Sequence, residues 1–235
     1  MRIELKNILA SFRVEWFKLK KSHLIEMVLA GFVFLLLIKR GASWPVFLQS
    51  ATMLYTSVIG MVGFGVISSW VFAREYTDGV YKDLLALPIS RKDIIISKLM
   101  VIEISELLIG LLAIVIAIVG GMIFAKTGFS IILLRHTFKQ MVELTFLNVM
   151  LSFLWPLLAS VWKSAILPMS LSFVAVIVSV IFASKRIGQF IPWSIPGYYL
   201  ANNTVISHES SLLLILVATI GIYGTIYVWS RLDQK

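Results

Sequence analysis

Two carboxylates, Glu103 and Glu106, stand three residues apart in an otherwise apolar run and so project near one face of a helix. A carboxylate inside a membrane span is a candidate for a substrate pathway or a gate. The pair lies about 8–12 Å along a helix from Lys98, close to a helix start where negative charge is favourable. A structural pairing with Arg74 or with the basic N-terminal segment is therefore the competing reading. His23, His136 and His208 fall near the ends of apolar stretches, and none has a carboxylate at metal-ligand spacing. Ser152, Ser170, Ser172 and Ser179 lie in apolar stretches without a nearby His or Lys base. Cysteine is absent, which removes disulfides, thiolate zinc sites and a thiol nucleophile. No catalytic set or metal site is read, so the expectation is a non-catalytic chain.

The elements that position these residues follow from composition. The 235 residues are 59% hydrophobic and only 14% charged, with a mean hydropathy of +0.94. A soluble domain averages roughly 45–50% apolar and ~25% charged residues, and a water-soluble globule of this size could not cover so much apolar surface. Intrinsic disorder is excluded for the same reason. The net charge of +9 fits the basic loops of a membrane protein and requires no nucleic-acid partner.

Six apolar stretches approach the ~20 residues that a membrane span requires. They run over about 22–38, 51–72, 99–125, 141–161, 165–183 and 212–229. Pro156 should kink the fourth. Residues 2–21 carry six Lys and Arg around an apolar stripe of Leu5, Ile8, Leu9, Phe12, Trp16 and Leu19. That spacing predicts an amphipathic helix in the membrane interface, not a cleavable leader. With the N-terminus inside, cytoplasmic segments hold 14 Lys and Arg against 7 outside, so both termini are expected in the cytoplasm. The fold class expected is an all-α membrane protein, one transmembrane domain over 1–235, with an outer loop at 184–211.

Residues 74–98, REYTDGVYKDLLALPISRKDIIISK, form the longest cytoplasmic segment between spans. Asp78-Gly79 marks a turn. Val80, Leu84, Leu85 and Leu87 make a short apolar stripe before Pro88, and Ser90 caps a second helix with Asp93 three residues on. A short helix with an apolar face suits docking in a partner's groove or resting on lipid.

This segment resembles the signature of type-2 ATP-binding-cassette (ABC) exporter permeases. The matching residues are Arg74-Glu75, Gly79, Leu84-Leu85, Pro88-Ile89-Ser90-Arg91 and Lys98. The basic N-terminal helix is similar to that family's connecting helix, and Ile191-Pro192-Trp193-Ser194-Ile195-Pro196 resembles a Pro-Trp turn of its bacitracin-resistance subgroup. The resemblance implies a six-span permease that pairs with a second copy or a related chain. It also implies a short coupling helix docking a separate ATPase subunit, with Arg74, Glu75, Gly79, Leu84, Leu87, Pro88, Ser90, Arg91 and Lys98 as the coupling set. ATP and Mg would belong to that partner; this chain carries no Gly-x-x-x-x-Gly-Lys-Ser/Thr phosphate loop and is expected to bind no cofactor. The cargo implied is a peptide antibiotic, lantibiotic or similar amphipathic substrate, in a bacterial plasma membrane.

A stand-alone secondary transporter or channel is the alternative, though no repeat relates 1–120 to 121–235. An intramembrane enzyme would need deep histidines or a serine–base pair, which the sequence lacks. Small residues recur at Gly60, Gly63 and Gly65 and at Ala113, Ala117 and Gly121, spacings that let helices approach closely in the bundle or at a dimer seam. Lys139 and Glu143 are placed for a surface pair, and Trp193, Tyr198 and Tyr199 for an outer aromatic belt.

Overall fold

A computed structural model describes residues 2–39, 41–81, 83 and 89–231, and these are all-helical apart from an isolated bridge between Ser43 and Thr127. The helices are α1 (Arg2–Lys21), α2 (Leu24–Ile38), α3 (Trp44–Leu54) and α4 (Phe64–Thr77), with a π-helical stretch over Tyr55–Gly63 joining the last two. Then follow α5 (Arg91–Phe124), α6 (Ile131–Ser152), α7 (Leu154–Trp162), α8 (Ile166–Phe182), α9 (Ile195–Asn202) and α10 (His208–Arg231). Among the described residues, Trp44–Thr77, Arg91–Phe124, Ile131–Trp162 and His208–Ser230 are each long and apolar enough to cross a membrane. A fifth is added if α1 and α2, bent by 44°, count as one span; α8, also apolar, has 17 residues.

Several expectations change in detail. The first apolar stretch begins at Leu24, because His23 takes a left-handed conformation (φ 56°) and breaks the chain between α1 and α2. The segment between the second and third apolar stretches is shorter than 74–98: α4 continues to Thr77 and α5 starts at Arg91. The Ser90 hydroxyl caps α5 by accepting from the Asp93 N–H at 3.1 Å. The short helix expected over 80–87 falls largely outside the described residues. The fourth stretch breaks at Phe153, as Pro156 demands: its ring nitrogen cannot donate to the Ser152 carbonyl.

The middle of the bundle is held by close backbone approaches. The π-helical stretch buries Tyr55, Thr56, Ile59, Gly60, Met61 and Gly63, so the wide turn presents more than one face inward. A methyl group at Gly60 would collide with Asn148 of α6; one at Gly63 would lie 2.6 Å from Val28 of α2, and one at Gly65 2.6 Å from Ser172 of α8. Ala113 and Ala117 are fully buried, and Gly121 meets the Trp44 ring, so the small-residue ladder of α5 packs within this chain.

The connecting segments sort to two ends. At one, the Trp44 N–H donates to the Thr127 carbonyl (2.9 Å) and the Lys126 N–H to Ala42 (3.2 Å), stitching the α2–α3 and α5–α6 loops together. Short 3₁₀ turns at Arg186–Phe190 and Pro192–Ser194 lead into α9 there, and Tyr199 donates to Glu143 of α6. Burial and the Glu143 carboxylate push the Tyr199 phenol above its ordinary range. Lys139 also reaches Glu143 at 3.7 Å. Trp193 departs from the belt expectation: its turn folds inward, with Ser194 and Ile195 buried, and its ring stacks on Trp155 at 6.2 Å.

Candidate functional site

At the opposite end, the residues on either side of the motif, 78–81 and 89–91, sit over a foundation built by four helices. α4 ends because Gly79 adopts φ 71°, a left-handed conformation that glycine takes without strain, while Asp78 N–H still bonds the Arg74 carbonyl. Arg74 bonds Asp78 at 3.0 Å and lies over the Trp70 ring at 4.9 Å. Gly79, Ser90 and Arg91 are exposed at the rim of the segment. Leu84, Leu87 and Pro88 lie outside the described residues.

Glu75 and Lys98 occupy a different position from their neighbours in the motif. They are 2% and 0% exposed, beneath the rim and out of reach of a docking protein. Lys98 Nζ donates to Glu75 Oε1 (2.8 Å), Glu15 Oε2 (2.9 Å) and the Val71 carbonyl (2.8 Å), which uses all three of its hydrogens. Lys18 closes the cluster with contacts of 2.6 Å to Glu15 and 3.1 Å to Glu75. Two ammoniums thus balance two carboxylates and join α1, α4 and α5. The inward face of α1 therefore carries Glu15 as well as Leu19, both buried, while Leu9 and Phe17 of its remaining surface are exposed. Glu15 was missed by sequence reasoning; an acidic residue in the middle of a basic helix, on the same turn as Trp16 and Leu19, was the available signal.

An aromatic cluster flanks the ionic one. Phe72, Tyr76 and Tyr81 surround Trp229 near the end of α10, with ring centroids 5.6, 6.0 and 5.2 Å away, and Tyr76 stacks on Tyr81 at 4.4 Å. Trp229 donates from its indole N–H to Ser160 of α7 at 2.8 Å. Tyr81, at the start of the segment, is thereby anchored to the last helix.

The paired carboxylates of α5 separate in role. Glu106 is fully buried and accepts from Ser68 of α4 and Ser152 of α6, both at 2.7 Å. It pairs neither with Arg74 nor with α1, because it lies more than two turns beyond Lys98, which already occupies those partners' level. Ser152 is the last residue before the break at Phe153, so Glu106 clasps that break. On its other side, Gly221 of α10 packs so closely that a methyl group there would overlap the Phe153 carbonyl. Glu103, one turn nearer Lys98, is partly buried, and its Oε1 has no hydrogen-bond partner among the described residues. The histidines remain apart, and no group of three or more His, Asp or Glu comes together among the described residues.

Comparison with known proteins places these features. Over 192 residues the chain is 28% identical to the bacitracin transport permease protein BCRB of Bacillus licheniformis, covering 78% of this chain and 90% of that one. Residues 11–179 match the family described as ABC-2 family transporter protein. That span takes in Glu15, Glu75, Lys98, Glu106 and Ser152 alike, and this helical membrane chain belongs to the ABC-2 transporter family.

Proposed function

We propose that the chain is the permease subunit of an ABC exporter that moves a peptide antibiotic, lantibiotic or similar amphipathic molecule across or out of a bacterial plasma membrane. It crosses six times, with α1 in the interface and both termini cytoplasmic. A separate ATPase subunit holds ATP and Mg and grips residues 78–90. A second permease chain, identical or related, completes the pathway, and this chain performs no chemistry. The name of the Bacillus relative, a bacitracin transport permease, supports the cargo class.

The observation that carries the reading is the foundation under the segment. A force applied to residues 78–90 meets Tyr81 on Trp229 on one side and Lys98 with Glu75 and Glu15 on the other. A buried ion cluster is costly to break, so the push moves α1, α4, α5 and α10 together instead of bending a loop. In that division of labour the rim residues touch the ATPase, and Glu75 and Lys98 transmit.

The test is isolation of the full chain from its native membrane followed by transport assays. An ATPase chain is expected to co-isolate, and Leu84→Ala, Leu87→Ala and Arg91→Ala are each expected to lower transport by about tenfold, the effect of losing one interface anchor. No co-isolating ATPase, or full transport and assembly in all three variants, overturns the coupling assignment.

A further inference from the structure

Between α5 and α10, against the broken helix, the bundle surface holds a recess of about 350 Å³. Its walls include Ile96, Met100, Phe153, Ile222 and Ile226, and among the described residues Glu103 is the one charged residue lining it. Ile96 and Met100 are each 39% exposed, so the recess opens sideways from the bundle, where a membrane-spanning helix meets lipid. Glu103 Oε1 is buried and has no hydrogen-bond partner among the described residues. A carboxylate in such surroundings costs free energy until a partner is supplied. The neighbours cannot supply it: Lys98 has spent its three hydrogens on Glu15, Glu75 and Val71, and the Ser68 and Ser152 hydroxyls serve Glu106.

We propose that this recess is a lateral binding site for a cationic amphiphile, its charged head at Glu103 and its apolar body along the α5–α10 groove. Charge complementarity selects this occupant. Ordinary zwitterionic or anionic lipid has no net positive head for the carboxylate. A second copy docked symmetrically on this face would bring two Glu103 carboxylates toward each other. Phe153 connects the site to the rest of the molecule, since it lines the recess and sits at the break that Glu106 clasps through Ser152. An occupant pressing on Phe153 therefore acts on the hinge of the broken helix. The proposal rests on the exporter reading for its biological sense and narrows the cargo to molecules with a positive head.

The test uses the full chain in phosphatidylcholine nanodiscs, without ATPase or nucleotide. A diazirine-bearing alkyl trimethylammonium probe is photolysed and labelled residues are mapped by mass spectrometry, with the matching alkyl sulfate as control. Label from the cationic probe should concentrate on α5 residues 96–104, Phe153 and the α10 wall and be displaced by unlabelled cation only. Glu103→Gln should lower it about tenfold, as expected for loss of one charge-assisted contact, and Glu103→Asp should retain most of it. Ile226→Trp, which fills the recess, should abolish it with Glu103 intact. Equal labelling by both probes, label spread evenly over the apolar surface, or labelling unaffected by Glu103→Gln and by Ile226→Trp overturns the site. Recess labelling in a chain that never co-isolates an ATPase would sink the exporter reading and leave the site standing; an ATPase partner without recess labelling would do the reverse.

Discussion

Lys98 is a lysine with no exposed surface, and its three short contacts explain how the bundle tolerates it. Removing it strands Glu75 and Glu15 with only Lys18 between them. Lys98→Met is expected to destabilise the purified chain by about 3–5 kcal/mol, the usual cost of orphaning a buried charge. Glu75→Gln combined with Lys98→Met leaves Glu15 and Lys18 as a balanced pair, and should recover part of that loss. Thermal unfolding of the single and double variants in one detergent checks both; a double variant less stable than Lys98→Met alone would contradict a balance of two ammoniums against two carboxylates. Glu106 illustrates a different solution, a buried carboxylate served by two hydroxyls instead of a cation. Its partners come from α4 and α6, far away in sequence, which is why spacing along α5 pointed toward Arg74 and missed them.

At the scale of elements, irregularities do most of the positioning. The π-helical stretch over Tyr55–Gly63 turns two small residues toward different helices, Gly60 to α6 and Gly63 to α2. The break at Phe153 follows from one ring nitrogen three residues on. Pro156→Ala restores the missing donor and should straighten α6 into α7, drawing Ser152 away from Glu106. A spin-label pair at Lys139 and Trp162 reads this as a longer interlabel distance in the variant, and an unchanged distance would mean that packing of Gly221 against Phe153 holds the break without the proline. The Pro156 kink and the Ser90 cap were legible because each is dictated by a single residue's backbone chemistry. The π turn was not, since it reflects which neighbours Gly60 and Gly63 meet.

For the whole molecule, the two ends carry separate tasks. One gathers α1, Tyr81, the start of α5 and the end of α10; the other stitches the α2–α3 and α5–α6 loops and folds α9 over the bundle. The pairing of Ser43 with Thr127 predicts that a Ser43→Cys/Thr127→Cys variant closes a disulfide on mild oxidation, because bridge-paired residues lie within disulfide reach. The natural chain has no cysteine to compete, so a shift in non-reducing electrophoresis reports it directly. Failure to cross-link in a folded variant would separate the two loops and break the two-ended arrangement.

The sequence by itself determined the membrane class, the apolar stretches, the cap at Ser90, the break before Pro156 and the motif residues around 74–98, because each depends on composition or on a few neighbouring residues. Only the tertiary structure decided that Glu75 and Lys98 lie beneath the rim, that Glu15 completes their cluster, that Glu106 clasps the broken helix, and that Glu103 is left facing an apolar recess. Those outcomes depend on which helices meet, and a buried charge can be assigned a partner only once distant segments have been brought to the same depth.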